Sequence, residues 1–97
     1  MRNTIMAESH KRSLRIVNEK GLHARASAKL VEVVEAHDAT AEVFRDGLSA
    51  CGDSIMGLLM LAAAKGTTIE IETQGAEAQK LAEEIERLVA DRFGEEM

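Results

Sequence analysis

The 97-residue sequence has no proline, tryptophan or tyrosine, two phenylalanines and one cysteine. Each shortage excludes something. A single thiol, Cys51, cannot form an internal disulfide or a cysteine-based zinc site, and a reducing, cytoplasmic setting fits it best. With so few aromatic rings there is no platform on which bases could stack. No apolar run approaches the ~20 residues that span a bilayer. Residues 1–13 lack the apolar segment of a secretory signal. No low-complexity stretch or internal repeat is present.

What is there suits one small domain. Apolar residues make up 45% of the chain and charged residues 30%, ordinary values for a folded protein of this size. The formal net charge of −5 argues against nucleic acid as a partner, because duplex binding needs clustered lysine and arginine. Residues 1–11, including the basic His10-Lys11, read as a flexible N-terminal extension, and residues 12–97 as the domain.

Two helices stand out by period. Over residues 24–36, Ser27, Leu30, Val31 and Val34 fall on one stripe, with Lys29, Glu32 and Glu35 largely off it. Over residues 76–92 the stripe is Ala78, Leu81, Ala82, Ile85, Leu88 and Val89, bracketed by Gly75 and Gly94. Glu83 and Arg87 stand i, i+4 on its polar side. Strands are expected over residues 13–17, 41–45, 48–51 and 67–73. Asp46-Gly47 supplies a two-residue hairpin turn between the second and third. Residues 54–64 are too apolar for an ordinary surface helix and read as a short helix ending before Gly66. The order strand, helix, strand, strand, helix, strand, helix predicts an α+β fold with three helices over one face of a four-stranded sheet.

Chemistry concentrates at two places. In Gly21-Leu22-His23-Ala24-Arg25, His23 falls at the expected start of the first helix. The first-turn N–H groups there lack intrahelical partners, and the helix dipole is positive. A phosphoryl group on His23 would find those donors, with Arg25 as a mobile cation. The same field disfavours imidazolium and so favours a nucleophilic ring nitrogen. Taken alone, a histidine at a helix start reads equally as a surface or capping residue, and neither His10 nor His37 stands at a metal-ligand spacing from it.

The second place is Asp53-Ser54-Ile55-Met56-Gly57-Leu58-Leu59-Met60. Ser54 suits an N-cap, with Asp53 competing for that role. It also suits phosphorylation, since a phosphate is favoured at a helix N-terminus. Leu58 and Leu61 are assigned to the core. Ile55, Met56, Leu59 and Met60 cannot all be buried by one small sheet, so part of this face is expected to be an exposed docking patch.

Together these segments, with the later Ala-Lys-Gly-Thr-Thr-Ile-Glu-Ile, resemble the HPr family of the bacterial phosphoenolpyruvate-dependent phosphotransferase system over about residues 12–95. The resemblance implies an open-faced β-sandwich, a four-stranded antiparallel sheet covered on one face by three helices. It implies that enzyme I passes a phosphoryl group to Nδ1 of His23, which hands it to a histidine of an enzyme IIA. Arg25 matches the arginine beside the active histidine. Ser54 matches the serine modified by HPr kinase/phosphorylase in some lineages, and Ile55, Met56 and Leu59 match the hydrophobic docking patch. Such a carrier is a monomeric stoichiometric intermediate without cofactor, metal, membrane insertion or substrate pocket. An alternative within the resemblance is a regulatory binding module switched at Ser54, with little carrier flux.

Three departures bear on this. Ala26 stands where the family usually has proline. Asp53 precedes Ser54 and would repel a phosphate there. Glu32 and Glu35 stand where sugar-system carriers often have basic residues, which with the Leu-Leu-Met-Leu run leans towards a nitrogen-type or regulatory carrier.

Overall fold

The computed structural model describes residues 9–97. Among these, the elements run β1 (Ser9–Arg15), α1 (Ala24–Glu35), β2 (Thr40–Arg45), β3 (Leu48–Cys51), α2 (Ile55–Met60), β4 (Thr68–Gln74) and α3 (Ala78–Ala90), followed by a 3-10 turn (Arg92–Gly94). The sheet is antiparallel throughout, in the order β1-β4-β2-β3, with the helices on one face. This is the α+β open-faced sandwich expected from the sequence.

Alternation builds the sheet. On the inner face Leu14, Val43, Ile69 and Ile71 are buried against Leu30 and Val34 of α1, Leu58 of α2, and Leu81, Ile85 and Val89 of α3. Each fully buried aliphatic side chain of this kind stabilises by roughly 1.5–3 kcal/mol before entropy is counted. Thr73 is also buried, and its hydroxyl donates to Ala78 O at 2.7 Å, closing the corner into α3. The outer face is polar. Lys11 stands opposite Glu72, and Glu72 opposite Glu42, so the cation partly offsets the like-charge pair.

Asp46 and Gly47 both take left-handed backbone, φ 54° and 84°, as a primed two-residue turn requires. At the other end of the sheet, Glu77 accepts from Asp38 N–H at 2.7 Å. That backbone bond holds its carboxyl below the ordinary glutamate range, against the opposing effect of desolvation and with help from Lys80 and His37.

Several boundaries move. β1 starts at Ser9, so residues 9–11 of the expected extension are strand, paired from Ser9 with Gln74 to Arg15 with Thr68. No apolar alternation signals this stretch, because its inward positions are His10 and Arg12, and Arg12 reaches Glu86 on α3 at 2.6 Å. Residues 1–8 lie outside the described residues. α2 ends at Met60, earlier than expected: Ala62 adopts φ 51°, and Arg45 donates to Leu61 O at 3.1 Å. Leu61 and Ala63 are nonetheless buried, so the apolar run continues as core after the helix stops. Arg87 pairs with Glu84 at 2.6 Å, i, i+3, rather than with Glu83. Among the described residues no helix is long and apolar enough to cross a membrane.

Candidate functional site

The loop between β1 and α1 is shaped by Gly21. Its φ is +64°, and a Cβ there would collide with the backbone carbonyl of Ala63. The close approach lets Leu22 N–H donate to Ala63 O at 2.9 Å. Leu22 is thereby anchored in the core, and the next residue is delivered to the start of α1.

His23 is the N-cap of α1, with extended backbone (φ −79°, ψ −176°) and no side-chain bond to its own helix. The first intrahelical bond runs from Ser27 N–H to His23 O at 2.8 Å. The amides of Ala24, Arg25 and Ala26 precede it and find no backbone carbonyl among the described residues. This is the donor arrangement that the sequence anticipated for an anion. Ala26, in place of proline, contributes an N–H that proline lacks, and it is completely buried. Arg25 is exposed in the first turn, and no partner holds it among the described residues.

No sequence pattern marks what lies on the other side of the ring. After α3 the chain makes three consecutive left-handed residues, Arg92 (φ 56°), Phe93 (φ 55°) and Gly94 (φ 79°). Such conformations cost of order 1 kcal/mol for a non-glycine residue and persist where surroundings impose them. Here Phe93 is completely buried, and Lys29 of α1 donates to Phe93 O at 2.6 Å. The turn brings Glu95 onto His23: Glu95 Oε2 meets His23 Nε2. Glu95 Oε1 accepts from Asn18 Nδ2 at 3.0 Å. Burial alone would raise the Glu95 carboxyl pKa. Hydrogen bonds from His23 and Asn18, and the charges of His23 and Lys20, outweigh it and hold the group below the usual glutamate range.

In the sequence Gly94 signals only the end of the last helix. No local pattern could have joined Glu95 to a histidine 72 positions away.

The model of the phosphotransferase-system HPr component phosphorylation site matches residues 10–91. The chain belongs to the HPr family. It is 44% identical to phosphocarrier protein HPr of Neisseria meningitidis serogroup A, over 88% of this chain and 96% of that protein. Against phosphocarrier protein HPr of Cupriavidus necator the identity is 42%, over 87% and 94%. Relatives of both names occur: phosphocarrier protein NPr of Escherichia coli K12 is 34% identical, over 89% and 97%. Among solved structures, HPr-C-His of Thermoanaerobacter tengcongensis superposes with a TM-score of 0.86 at 26% identity, covering 91% of this chain and 99% of that one. As a member of the HPr family the chain is a phosphocarrier of the phosphotransferase system rather than a stand-alone catalyst.

The second place found in the sequence lies on α2. Ser54 is its N-cap, and its Oγ accepts from Gly57 N–H at 3.0 Å, so Ser54 and not Asp53 holds the role. Ile55, Met56, Leu59 and Met60 are exposed by 41%, 71%, 37% and 73%, while Leu58 and Leu61 are buried. The exposed four therefore form one contiguous apolar face on a single short helix, and the division into core and surface is the one the sequence suggested.

Proposed function

We propose that His23 is the phosphoryl carrier of this HPr-family protein. A lone pair on Nδ1 attacks the phosphorus of phospho-enzyme I, the new N–P bond forms as the bond to the enzyme I histidine breaks, and the reverse exchange passes the group to a histidine of an enzyme IIA. The observation that carries this reading is the start of α1, where a part-exposed ring stands at an uncapped helix N-terminus. The amides of Ala24 and Arg25 and the Arg25 guanidinium are the chain's donors for the phosphoryl oxygens, whose charge the helix dipole also favours. The carrier works as a cytoplasmic monomer and needs no cofactor or metal of its own. Ile55, Met56 and Leu59 form the face against which enzyme I and enzyme IIA dock, with flexible methionine suited to more than one partner.

Incubation with phosphoenolpyruvate and the enzyme I of the same cell tests this. The expected product carries an acid-labile phosphate that is absent from His23→Ala. Failure of the wild-type chain to label would overturn the reading.

Ser54 supports a second, regulatory reading, because it borders the apolar face at the start of α2. A phosphate there keeps acceptor oxygens near the Gly57 N–H and places a charge beside surface that must desolvate on docking. HPr kinase/phosphorylase would be the partner, working against the neighbouring Asp53 carboxylate. Acid-stable phosphate on Ser54 after treatment with ATP and the cognate kinase is the expected result. An unmodified Ser54 by mass spectrometry would remove this role.

A further inference from the structure

Three groups at the site are not used by the phosphocarrier chemistry as stated: a buried amide, a carboxylate and the strained turn that delivers it. Asn18 is completely buried between β1 and the loop before His23. Its Nδ2 donates both to Gly21 O, at 2.8 Å, and to Glu95 Oε1, at 3.0 Å. These two donations from its nitrogen hold the side chain in place.

The second group, Glu95, reaches the ring only because Arg92, Phe93 and Gly94 turn left-handed and Lys29 ties down Phe93 O. Strain of this kind, imposed by a buried aromatic ring and a cross-chain bond, is found where a side chain must be aimed. An ionised carboxylate only accepts hydrogen bonds. Its partner on His23, Nε2, must therefore be the donor. In the neutral ring the other nitrogen, Nδ1, then carries the lone pair.

We propose that Glu95 and Asn18 are positioning residues for His23: the buried amide holds the carboxylate, and the carboxylate holds the ring with its proton on Nε2 and its Nδ1 lone pair free for the incoming phosphorus. This rests on the carrier reading of His23. The relay Asn18–Glu95–His23 restricts both the tautomer and the orientation of the nucleophile. Its effect is on the transfer step and not on docking, since neither Glu95 nor Asn18 lies on α2.

The tautomer can be read on the full chain without any partner, from long-range proton–nitrogen correlation spectra of ¹⁵N-labelled His23 at a pH where the ring is neutral. The wild-type ring is expected to be protonated at Nε2. Glu95→Ala should admit the Nδ1-protonated form. At saturating carrier it should lower the rate of transfer from phospho-enzyme I by about fivefold, with KM for the carrier unchanged. Glu95→Gln keeps an acceptor and should retain most of both properties. Asn18→Asp removes the donor and sets a carboxylate against Glu95, so it should reproduce Glu95→Ala. If that variant proves unfolded by amide dispersion, Asn18→Ser serves in its place.

A wild-type ring protonated at Nδ1 would overturn the proposal, and so would a Glu95→Ala transfer rate equal to that of wild type. A wild-type tautomer in folded Asn18→Asp or Asn18→Ser would remove Asn18 from it. If enzyme I fails to label even the wild-type chain, the carrier reading falls, while the tautomer result stands by itself.

Discussion

At the start of α1 the N-cap residue, His23, makes no side-chain bond to its own helix and meets Glu95 instead. At the start of α2 the N-cap residue, Ser54, folds its hydroxyl back onto Gly57 N–H at 3.0 Å. Both are helix starts bearing a group that could carry phosphate, yet their local chemistry is opposite. One leaves the first-turn amides without a backbone or side-chain cap among the described residues and secures its side chain from elsewhere in the chain. The other completes itself with its own oxygen. A site meant to be filled and emptied repeatedly gains from the first arrangement, because the bare state loses no cap when the phosphoryl group leaves. A site modified occasionally can rely on the second.

Replacing the two residues in turn separates these designs. The largest effect expected is His23→Ala: complete loss of acid-labile labelling by enzyme I and phosphoenolpyruvate, with the fold intact by amide dispersion. Labelling that survived would place the acceptor elsewhere. Next comes Gly21→Ala, which puts a Cβ into Ala63 O at φ +64°. It should cost about 3 kcal/mol in urea denaturation, because the loop that delivers His23 cannot shift without breaking the Leu22–Ala63 bond.

Ser54→Ala removes the α2 cap and should cost about 1 kcal/mol by the same measurement. A negligible cost would mean that Asp53 takes over and that the contrast between the two starts is weaker than drawn. Ala62→Gly relieves a left-handed alanine two residues past α2 (φ 51°) and should gain about 0.5 kcal/mol.

The smallest effect is the pH dependence at Glu95. Its folded-state pKa is lowered, so its contribution to stability is present above the ordinary glutamate range and lost as pH falls through the folded value. The difference in Tm between wild type and Glu95→Gln should therefore be greatest near neutrality and shrink in acid. A difference independent of pH would show that charge plays no part in holding the turn.

What could be read from the sequence follows the range of the forces involved. α1, α3 and the β2–β3 hairpin were legible because their signals are local: a stripe with a helical period, and Asp46-Gly47 at the turn. The inner ends of β1 and α2 were not. Ser9 to Arg12 owe their strand to pairing with β4 across the sheet, and their inward residues are polar. α2 stops where Arg45, from a distant strand, takes Leu61 O. At the site, His23, Arg25 and Ser54 were found through helix-start chemistry and a family resemblance. Glu95 and Asn18 were not, because Glu95 meets His23 and Asn18 only through a left-handed turn at Arg92, Phe93 and Gly94, and the glycine marks a helix end without saying where the chain goes next.

The strand order has a consequence in time. β4 lies between β1 and β2, so β1 has no partner in the sheet until β4, Thr68–Gln74, has been made. Pairings of such separation form slowly, since a long loop must close before any contact rewards it. His23 is synthesised early, and the carboxylate that seats its ring arrives 72 residues later. On the proposed reading, the nascent chain displays its phosphate acceptor well before it can orient it, and competence should appear only with the final turn of the fold.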